Sequence, residues 1–434
     1  MTAVLARVRS PLAIRDLVGA AFDREAGNES SAEKLEHAFA ERFEFPHGVL
    51  FRYGRSGLRA LLSAMGWRER EILCPAYCCG EVPYAITASR NHVRFVDSGA
   101  EHFLPGPPEW QAAATAGSAA AIFVPLFGYP VDRDAERAVR AASPGIFVVY
   151  DEAQSYGASD AGGLQARDAD AALFSLGLGK VITALGGGIV LVRDAALHRE
   201  LKSIRDRIHV RPTAVRTGYS VVAGVGAWLA FREPLVTLID RFAATRTLFK
   251  PDIRHRTSDE SPELPDDAEV LVPGYQARVG LRQFGRLASI LAARQALGNY
   301  YERRLREEGF RTFQHSHRPI WPRYPLAVQD RPSVVARSRE HSVQLSDFLD
   351  YSSADLPFYR KQADGGFPRA SLWGQSMINL PIWHGMDEAR AERVISVLAR
   401  LRDRGDGAPL WPRISPRARG LDERDRANLE TRRA

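Results

Sequence analysis

Cysteine is scarce in this chain of 434 residues, and its few copies lie close together. The sequence contains three cysteines, Cys74, Cys78 and Cys79, all within one short stretch. Three clustered cysteines cannot provide a disulfide framework for a chain of this length. A zinc site would need a second pair of Cys or His ligands at ligand spacing, and none lies nearby. We therefore expect ordinary packed thiols, no metal site, and a protein of the reducing cytoplasm.

Lysine and long hydrophobic runs are also in short supply. Only five of the 59 basic residues are lysine, and the formal net charge is +7. Because the arginines are spread along the chain rather than clustered, no nucleic-acid partner is predicted. The longest nearly apolar run, 219–231, is shorter than the roughly 20 residues that cross a bilayer. This run predicts a buried helix, and the arginines near the N-terminus argue against a signal peptide.

Apolar segments and helical patterns alternate through the first half of the chain. Ser30 followed by Glu33 is a capping-box pattern, which predicts the start of a helix. Alternation of strands with helices predicts a mostly parallel sheet that is covered on both faces. The predicted strands are 72–74, 93–96, 120–126, 146–150, 171–174 and 189–192.

The pattern along the whole chain predicts two domains with flanking segments. The predicted parts are an irregular N-terminal arm at 1–30, a large domain at 31–256, a proline-rich linker at 257–267, a smaller α/β domain at 268–403 and a disordered tail at 404–434. Within the smaller domain, the predicted elements are a long helix at 276–308, strands at 324–328 and 377–380, and a last helix at 387–402.

Two segments contain candidate binding groups. One is a helix start that can bind an anion, and the other is a carboxylate at the end of a strand. In the segment 53–57, Arg55 and Ser56 begin an amphipathic helix, and the free N–H groups of a helix start can bind an anion. Taken alone, Ser56 is more often a structural N-cap. Further along, an apolar strand leads into Asp151, at the sheet edge where open α/β sheets bind ligands. Taken alone, Asp151 is more often a polar residue that closes a strand.

A third segment, 174–188, contains the rare Lys180 between glycines and ahead of an apolar strand. Flanking glycines allow the backbone to approach a ligand closely. A desolvated lysine has a lowered pKa and supplies a neutral amine for Schiff-base chemistry. Pyridoxal 5'-phosphate (PLP) needs a helix start for its phosphate, a carboxylate for its ring nitrogen and a lysine for its aldehyde. The three segments together therefore predict PLP as the cofactor.

The chain resembles the DegT/StrS family of PLP-dependent aminotransferases over residues 33–402. The resemblance implies the PLP-dependent transferase fold type I, like that of aspartate aminotransferase, with a large mostly parallel sheet domain and a smaller C-terminal α/β domain. It also implies a homodimer that transfers an amino group from a small-molecule donor such as glutamate to a carbonyl acceptor. The implied acceptor is a keto sugar or a nucleotide-linked sugar in polysaccharide or secondary-metabolite biosynthesis. The matching blocks are 54–58, 74–77, 127–132, 151–158, 174–188, 276–281 and 379–386.

The resemblance implies roles for three residues in the chemistry of the cofactor. Lys180 would hold the aldehyde of PLP and shuttle a proton between the substrate carbon and the cofactor. Asp151 would keep the pyridine nitrogen protonated, and Gln154 would contact the phenolic oxygen. Because Lys180 is retained, the chain is not expected to belong to the family's dehydratase branch, in which a histidine takes that place.

The resemblance also implies which residues hold the phosphate and the ring of PLP. Ser175 and the turn formed by Arg55 and Ser56 would bind the phosphate. The position that usually carries a ring-stacking aromatic residue falls on Cys79, and Tyr77 is the alternative for that contact.

Differences from the family pattern concern the substrate more than the cofactor. The family's Asn-x-Arg element is absent from 269–273, and its C-terminal loop histidine is absent from 342–348. The acceptor is therefore either a sugar or another biosynthetic intermediate. Two alternatives stay open: a PLP enzyme with another reaction at the α or β carbon, and a non-catalytic relative that binds the cofactor or a sugar.

Overall fold

A seven-stranded sheet is the largest element of the fold. The computed structural model describes residues 3–23, 30–160, 163–230, 232, 235–237, 267–315, 317–361 and 366–403. The strands of the first half are β1 His47–Phe51, β2 Glu71–Pro75, β3 His92–Val96, β4 Ser118–Phe123, β5 Phe147–Asp151, β6 Ser159–Asp160, β7 Gly163–Leu164, β8 Ala171–Ser175 and β9 Gly188–Val192. The order in the large sheet is β1-β9-β8-β5-β4-β2-β3, and β6 pairs with β7 separately. The pairs from β3 to β8 are parallel, whereas β9 is antiparallel to both neighbours, which confirms the predicted mostly parallel sheet.

Helices cover both faces of this sheet. Alternate strand residues point to opposite faces, so Val149 of β5 packs in a different core cluster from Val148 and Tyr150. Burial on both faces explains why these strands appear in the sequence as continuous apolar runs. The helices of the first half are α1 Ile14–Phe22, α2 Ser31–Arg42, α3 Gly54–Ala64, α4 Glu81–Ala88, α5 Pro107–Ala113, α6 Arg133–Ala142, α7 Ala195–Ile208 and α8 Ala214–Ala230, with 3₁₀ turns at Leu126–Gly128 and Gln165–Asp168.

The C-terminal part contains a small antiparallel sheet and the helices that pack on it. Its strands are β10 Tyr324–Ala327 and β11 Met377–Leu380, which confirms both predicted strands. Its helices are α9 Gly274–Phe284, α10 Leu287–Glu307, α11 Arg331–Glu340, α12 Pro357–Arg360, α13 Pro368–Ser376 and α14 Glu388–Asp403, with a 3₁₀ turn at Ser353–Asp355. Helix α14 confirms the predicted last helix.

Hydrogen bonds join the C-terminal part to the turn that follows β2. The Ser353 N–H donates to the carbonyl of Ala76 at 2.8 Å, and its Oγ donates to the carbonyl of Cys78 at 2.7 Å. The hydroxyl of Ser352 also donates to the carbonyl of Ala76, at 3.1 Å. These buried contacts fix the segment around 349–353 against the edge of the large sheet.

The N-terminal arm is not irregular throughout, because α1 lies within it. Leu17 and Ala20 of α1 are buried in one cluster with Tyr275 and Val279 of α9. This packing partner is distant in the sequence, so the local pattern of residues 1–30 does not reveal it. Burial of an apolar face against α9 stabilises a helix that would be marginal in isolation.

The prediction of one long helix at 276–308 is wrong, because α9 and α10 are separate. The chain bends at Gly285 and at Arg286, whose φ of −110° and ψ of 6° lie outside the helical range. Ala277 of α9 packs with the large sheet, whereas Tyr301 of α10 is buried in the cluster that reaches the C-terminal part. Helix α10 begins in the same cluster as α9, through Leu287 and Ile290, and its later turns continue into the other cluster.

Residues 219–230 of the apolar run belong to helix α8, and residue 231 lies outside the described residues. The prediction that this helix is buried is wrong for one of its faces. Val221 and Val225 pack partly against the cluster around α1. Val215, Tyr219 and Val222 are between 69% and 83% exposed. The helix therefore covers α1 with one face and presents apolar side chains on the other. Within the ranges that the structure describes, no helix has both the length and the apolar character required to cross a membrane.

The division into domains at 31–256 and 268–403 stays a prediction. The linker expected at 257–267 lies outside the described residues except for Asp267. The tail expected at 404–434 lies wholly outside them, as do residues 238–256 of the predicted large domain.

Candidate active site

The carboxyl ends of two neighbouring parallel strands form one side of a cavity of about 530 Å³. Asp151 is the last residue of β5, and its Oδ1 accepts a hydrogen bond from the N–H of Ala153 at 3.0 Å. Ser175 is the last residue of β8, which pairs with β5. Parallel strands end at the same edge of a sheet, so both side chains reach the cavity, as predicted for a ligand-binding edge.

Helix α3 begins at the same cavity. Its first residues, Gly54 and Arg55, line the wall. In the first turn, the Oγ of Ser56 is buried and has no hydrogen-bond partner among the described residues. A β-carbon on Gly188 of β9 would lie 2.3 Å from the backbone nitrogen of Gly54, so only glycine permits this close approach. The helix start, with its free N–H groups, is thereby held directly against the strands that frame the cavity.

Replacing Gly188 by alanine is expected to displace the start of α3. Because the new β-carbon would meet backbone rather than a flexible side chain, we expect a loss of about 1–3 kcal/mol in the free energy of unfolding and weaker binding at the helix start. Urea denaturation and a cofactor titration measure the two effects. Gly218→Ala is the matched control, since a β-carbon there meets nothing within 4 Å. Equal behaviour of the two variants would contradict the close approach.

Lys180 lies in the loop between β8 and β9, which the backbone and one buried side chain hold in place. The N–H of Leu176 donates to the carbonyl of Gly187 at 2.8 Å, across the base of the loop. Gln283 of α9 accepts from the N–H of Thr183 at 3.1 Å and donates to its carbonyl at 2.6 Å. Gly187 has a φ of +118°, which favours glycine. The lysine is therefore carried by a fixed loop rather than by a loose one.

Burial is the largest influence on the pKa values of Lys180 and Asp151. Burial lowers the pKa of Lys180, while the neighbouring Cys79 and Asp151 oppose the shift and Arg323 adds to it. Burial raises the pKa of Asp151, against the charge of Lys180 and the hydrogen bond from Ala153. A lysine with a lowered pKa has more of its amine in the neutral form at a given pH, and only this form acts as a nucleophile or accepts a proton.

Cys79 and Tyr77, the two candidates for the contact with the ring of PLP, lie in different places. Cys79 lines the cavity, and burial raises the pKa of its thiol to about 11, so the thiol is neutral. Tyr77 is not among the residues that line the cavity. Its ring is buried 6.4 Å from that of Phe127, and its hydroxyl donates to the carbonyl of Leu349 at 3.0 Å. The structure thus places Cys79, and not Tyr77, at the site.

Gln154 and Arg55 line the cavity, and they differ in how far their polar groups are already engaged with other residues. The Oε1 of Gln154 accepts from the N–H of Phe127 at 3.3 Å, and its Nε2 has no hydrogen-bond partner in the described part of the chain. Arg55 forms an ion pair with Glu81. Six of the eight residues predicted from the sequence therefore line one cavity, with Ser56 in the adjacent helical turn and Tyr77 in the core. The six are Arg55, Cys79, Asp151, Gln154, Ser175 and Lys180.

The residues that close the other side of the cavity are not predicted from the sequence. Arg7 comes from the N-terminal arm, and Arg323, Phe348 and Asp350 come from the C-terminal part. These residues have no shared motif and lie far from Lys180 along the chain. The one available signal is that Arg323 immediately precedes the predicted strand at 324–328.

Glu152 is a buried acid whose effect on stability depends on pH. Burial raises its pKa from 4.5 to about 7, although Ser155 and the N–H of Gly157 donate hydrogen bonds to it. The folded protein therefore holds this proton more tightly than the unfolded chain does. The free energy of unfolding should fall by up to about 3 kcal/mol as the pH rises from the unfolded pKa to the folded one.

Replacing Glu152 by glutamine is expected to remove this pH dependence, because the amide imitates the protonated acid and keeps a carbonyl acceptor for Ser155 and Gly157. Urea denaturation at pH 5 and at pH 8 measures it. We expect the variant to gain stability relative to the original protein mainly at pH 8. Parallel pH profiles for the two proteins would show that Glu152 does not titrate in this range.

Comparison with known proteins gives one family and several relatives. The model of the DegT/DnrJ/EryC1/StrS aminotransferase family matches residues 19–226 and 272–399. The erythromycin biosynthesis sensory transduction protein EryC1 of Saccharopolyspora erythraea is 33% identical over 177 residues, which are 40% of this chain and 48% of that protein. This match thus spans about half the length of that relative. GDP-perosamine synthase of Caulobacter vibrioides is 24% identical and covers 84% of this chain and 88% of its own.

Solved structures share the fold at low sequence identity. Spr1654 from Streptococcus pneumoniae, solved in its PLP form, superposes with a TM-score of 0.70 at 15% identity. The superposition covers 92% of this chain and 99% of that one. The fold class predicted from the sequence is confirmed by this likeness together with the family match.

Proposed function

The chain belongs to the DegT/DnrJ/EryC1/StrS aminotransferase family, and from this premise we propose that it transfers an amino group from an amino-acid donor to the carbonyl group of a sugar. One observation carries the proposal: Lys180, Asp151 and Ser175, from separate segments, line one cavity together with the start of α3. A lysine, a carboxylate and an anion-binding helix start at one site are the groups that an aminotransferase needs for PLP.

The residues of the cavity fit PLP. The N–H groups at the start of α3 suit the phosphate, with the unpartnered Oγ of Ser56 and the side chain of Ser175 beside them. The carboxylate of Asp151 suits a protonated ring nitrogen, and the available Nε2 of Gln154 suits the phenolic oxygen. When bound, PLP supplies an electron sink for negative charge that develops on the substrate carbon.

Lys180 is the proposed catalytic residue. Its Nζ, which burial favours in the neutral state, would bind the aldehyde of PLP and would later take up and return the proton of the substrate carbon. The hydrogen bonds between Thr183 and Gln283 hold the backbone of the loop that carries Lys180 beside the cavity. The carboxylate of Asp151 would hold a proton at the ring nitrogen.

The other predicted residues have supporting roles in this proposal. The charge of Arg55 is already compensated by Glu81, so we assign phosphate binding mainly to the N–H groups of the turn and to Ser56. Cys79, which lines the cavity, would contact the ring with a neutral thiol. Tyr77 has no such role, because its hydroxyl is engaged with the C-terminal part.

The proposed acceptor is a keto sugar or a nucleotide-linked sugar of polysaccharide or secondary-metabolite biosynthesis. This choice of acceptor is supported by similarity, because a relative named GDP-perosamine synthase matches 84% of this chain. The family resemblance is the basis for proposing a cytoplasmic homodimer with a cofactor domain at 31–256 and a small domain at 268–403.

The test is the visible absorption spectrum of the purified protein with added PLP, before and after glutamate. We expect a visible band of protein-bound PLP, which glutamate removes as 2-oxoglutarate is released in an amount equal to the sites. A protein that develops no band with excess PLP would overturn the cofactor assignment. A band that persists with glutamate, glutamine and aspartate would overturn amino transfer and favour a non-catalytic relative.

A further inference from the structure

Arg323 brings a positive charge to the cavity from the C-terminal part. Its Nη2 is 3.4 Å from the position that a β-carbon on Gly179 would take, directly beside Lys180. Its guanidinium carbon lies 3.9 Å from the centre of the Phe348 ring, a cation–π contact that holds the group without neutralising it. The guanidinium therefore faces the place where a substrate must meet Lys180.

The acidic groups around the cavity do not neutralise Arg323. Asp347 lies 3.6 Å from Arg7, and Glu81 is paired with Arg55. Among the described residues, no carboxylate forms an ion pair or a hydrogen bond with Arg323. Burial and the charge of Arg7 lower the pKa of Arg323 to about 10, so it stays charged at neutral pH. A partly buried cation without a counter-charge is poorly solvated, and a ligand that supplies the opposite charge would stabilise it.

The segment that carries Arg323 is held rigidly. Arg294 of α10 is buried, and its Nη1 donates to the carbonyls of Trp321 at 3.3 Å and Pro322 at 3.1 Å. The same nitrogen donates to the carbonyl of Ile382, at 3.0 Å, in the segment after β11. These bonds fix the backbone immediately before Arg323. The guanidinium is therefore positioned before any ligand arrives, which favours binding.

We propose that Arg323 binds the carboxylate of the amino donor, as a substrate-binding residue of the activity proposed above. A guanidinium and a carboxylate form a planar pair of parallel hydrogen bonds. In an amino acid the carboxylate is bonded directly to the carbon that carries the amino group, so it reaches a cation next to Lys180. The phosphate of a nucleotide-linked sugar is separated from the reacting carbonyl by much of the sugar ring, and it does not reach Arg323 in the same pose.

The test compares Arg323→Gln and Arg323→Lys with Arg137→Gln, an exposed change on α6 that serves as control. All variants are first loaded with PLP, and an unchanged visible band shows that the cofactor site is intact. Glutarate is the binding probe, because it has the carboxylates of glutamate but no amino group, and it is titrated against the visible band. We expect Arg323→Gln to weaken glutarate binding about 10- to 100-fold, the effect of losing a charge-assisted pair. Arg323→Lys should lose less, and the control should bind like the original protein.

Donor kinetics and a second probe distinguish the other outcomes. We expect Arg323→Gln to raise the KM for glutamate by a similar factor. Equal glutarate binding by Arg323→Gln and the original protein would overturn this assignment while leaving amino transfer intact. Weakened binding of uridine diphosphate without any change for glutarate would also overturn it, and would assign Arg323 to the acceptor. Failure of the original protein to react with glutamate, glutamine and aspartate would overturn the proposed function instead, and the glutarate titration would still report on Arg323.

Discussion

Replacing Lys180 by alanine is expected to lower the rate of amino transfer by about 10⁴-fold or more, the upper end of what a positioned general base contributes. The described part of the cavity wall contains no second lysine, so no other amine can take its place. The phosphate site at the start of α3 does not involve Lys180, and the variant should still bind PLP. The loss should therefore appear in kcat much more than in cofactor affinity.

Borohydride treatment followed by mass spectrometry tests whether Lys180 is the residue that binds the aldehyde of PLP. The original protein should gain the mass of one reduced cofactor per chain at Lys180, and the variant should gain none. Lys202→Ala on helix α7 is the control for the loss of a lysine elsewhere. Added methylamine should restore part of the activity, because it fits the space left by the side chain. A variant with full activity, or one labelled at another lysine, would refute the assignment of Lys180.

The second large effect is expected for Asp151→Asn, which should lower kcat by about 10²- to 10³-fold, the range for removing one preorganised electrostatic contact. The amide keeps the shape of the side chain and the hydrogen bond from Ala153 but carries no negative charge. Without that charge the ring nitrogen of PLP loses its proton more readily, and the electron sink weakens.

Steady-state kinetics with the PLP-loaded variants measure this effect. Glu152→Gln is a close control, since Glu152 follows Asp151 in the chain but accepts its hydrogen bonds from Ser155 and Gly157 and does not line the cavity. We expect its kcat to change little. Asp151→Glu should recover part of the activity, because the charge returns at a shifted position. Equal losses for Asp151→Asn and Glu152→Gln would indicate a general disturbance of this turn.

The parts of the site that could be predicted are those with local signals. An apolar strand that ends in a carboxylate predicts both the position and the direction of Asp151, because strand geometry carries the side chain to the sheet edge. Glycines around Lys180 mark a turn that leads into the next strand. The capping pair of Ser30 and Glu33 is also confirmed, with reciprocal hydrogen bonds of 3.3 and 2.9 Å.

The parts that could not be predicted depend on contacts between distant segments. Strand β1, His47–Phe51, is missed because its partner in the sheet, β9, lies far along the chain. The choice between Tyr77 and Cys79 depends on the path of the turn after β2, which the C-terminal part determines through Leu349. Arg323 becomes a cavity residue only when the small sheet packs beside the Lys180 loop. Sequence patterns do not contain that information.

The hydrogen bonds from Ser352 and Ser353 to the turn after β2 limit where the protein can be truncated or joined to a relative in a chimera. A truncated protein that ended with α8 would keep Asp151, Ser175 and Lys180, but the carbonyls of Ala76 and Cys78 would lose their donors. The apolar side chains of Ala76 and Tyr77, which now pack in one cluster with the C-terminal part, would become exposed to water, and this exposed surface would favour aggregation. Chimeras made to change the acceptor should therefore exchange loops within the C-terminal part and retain residues 349–353.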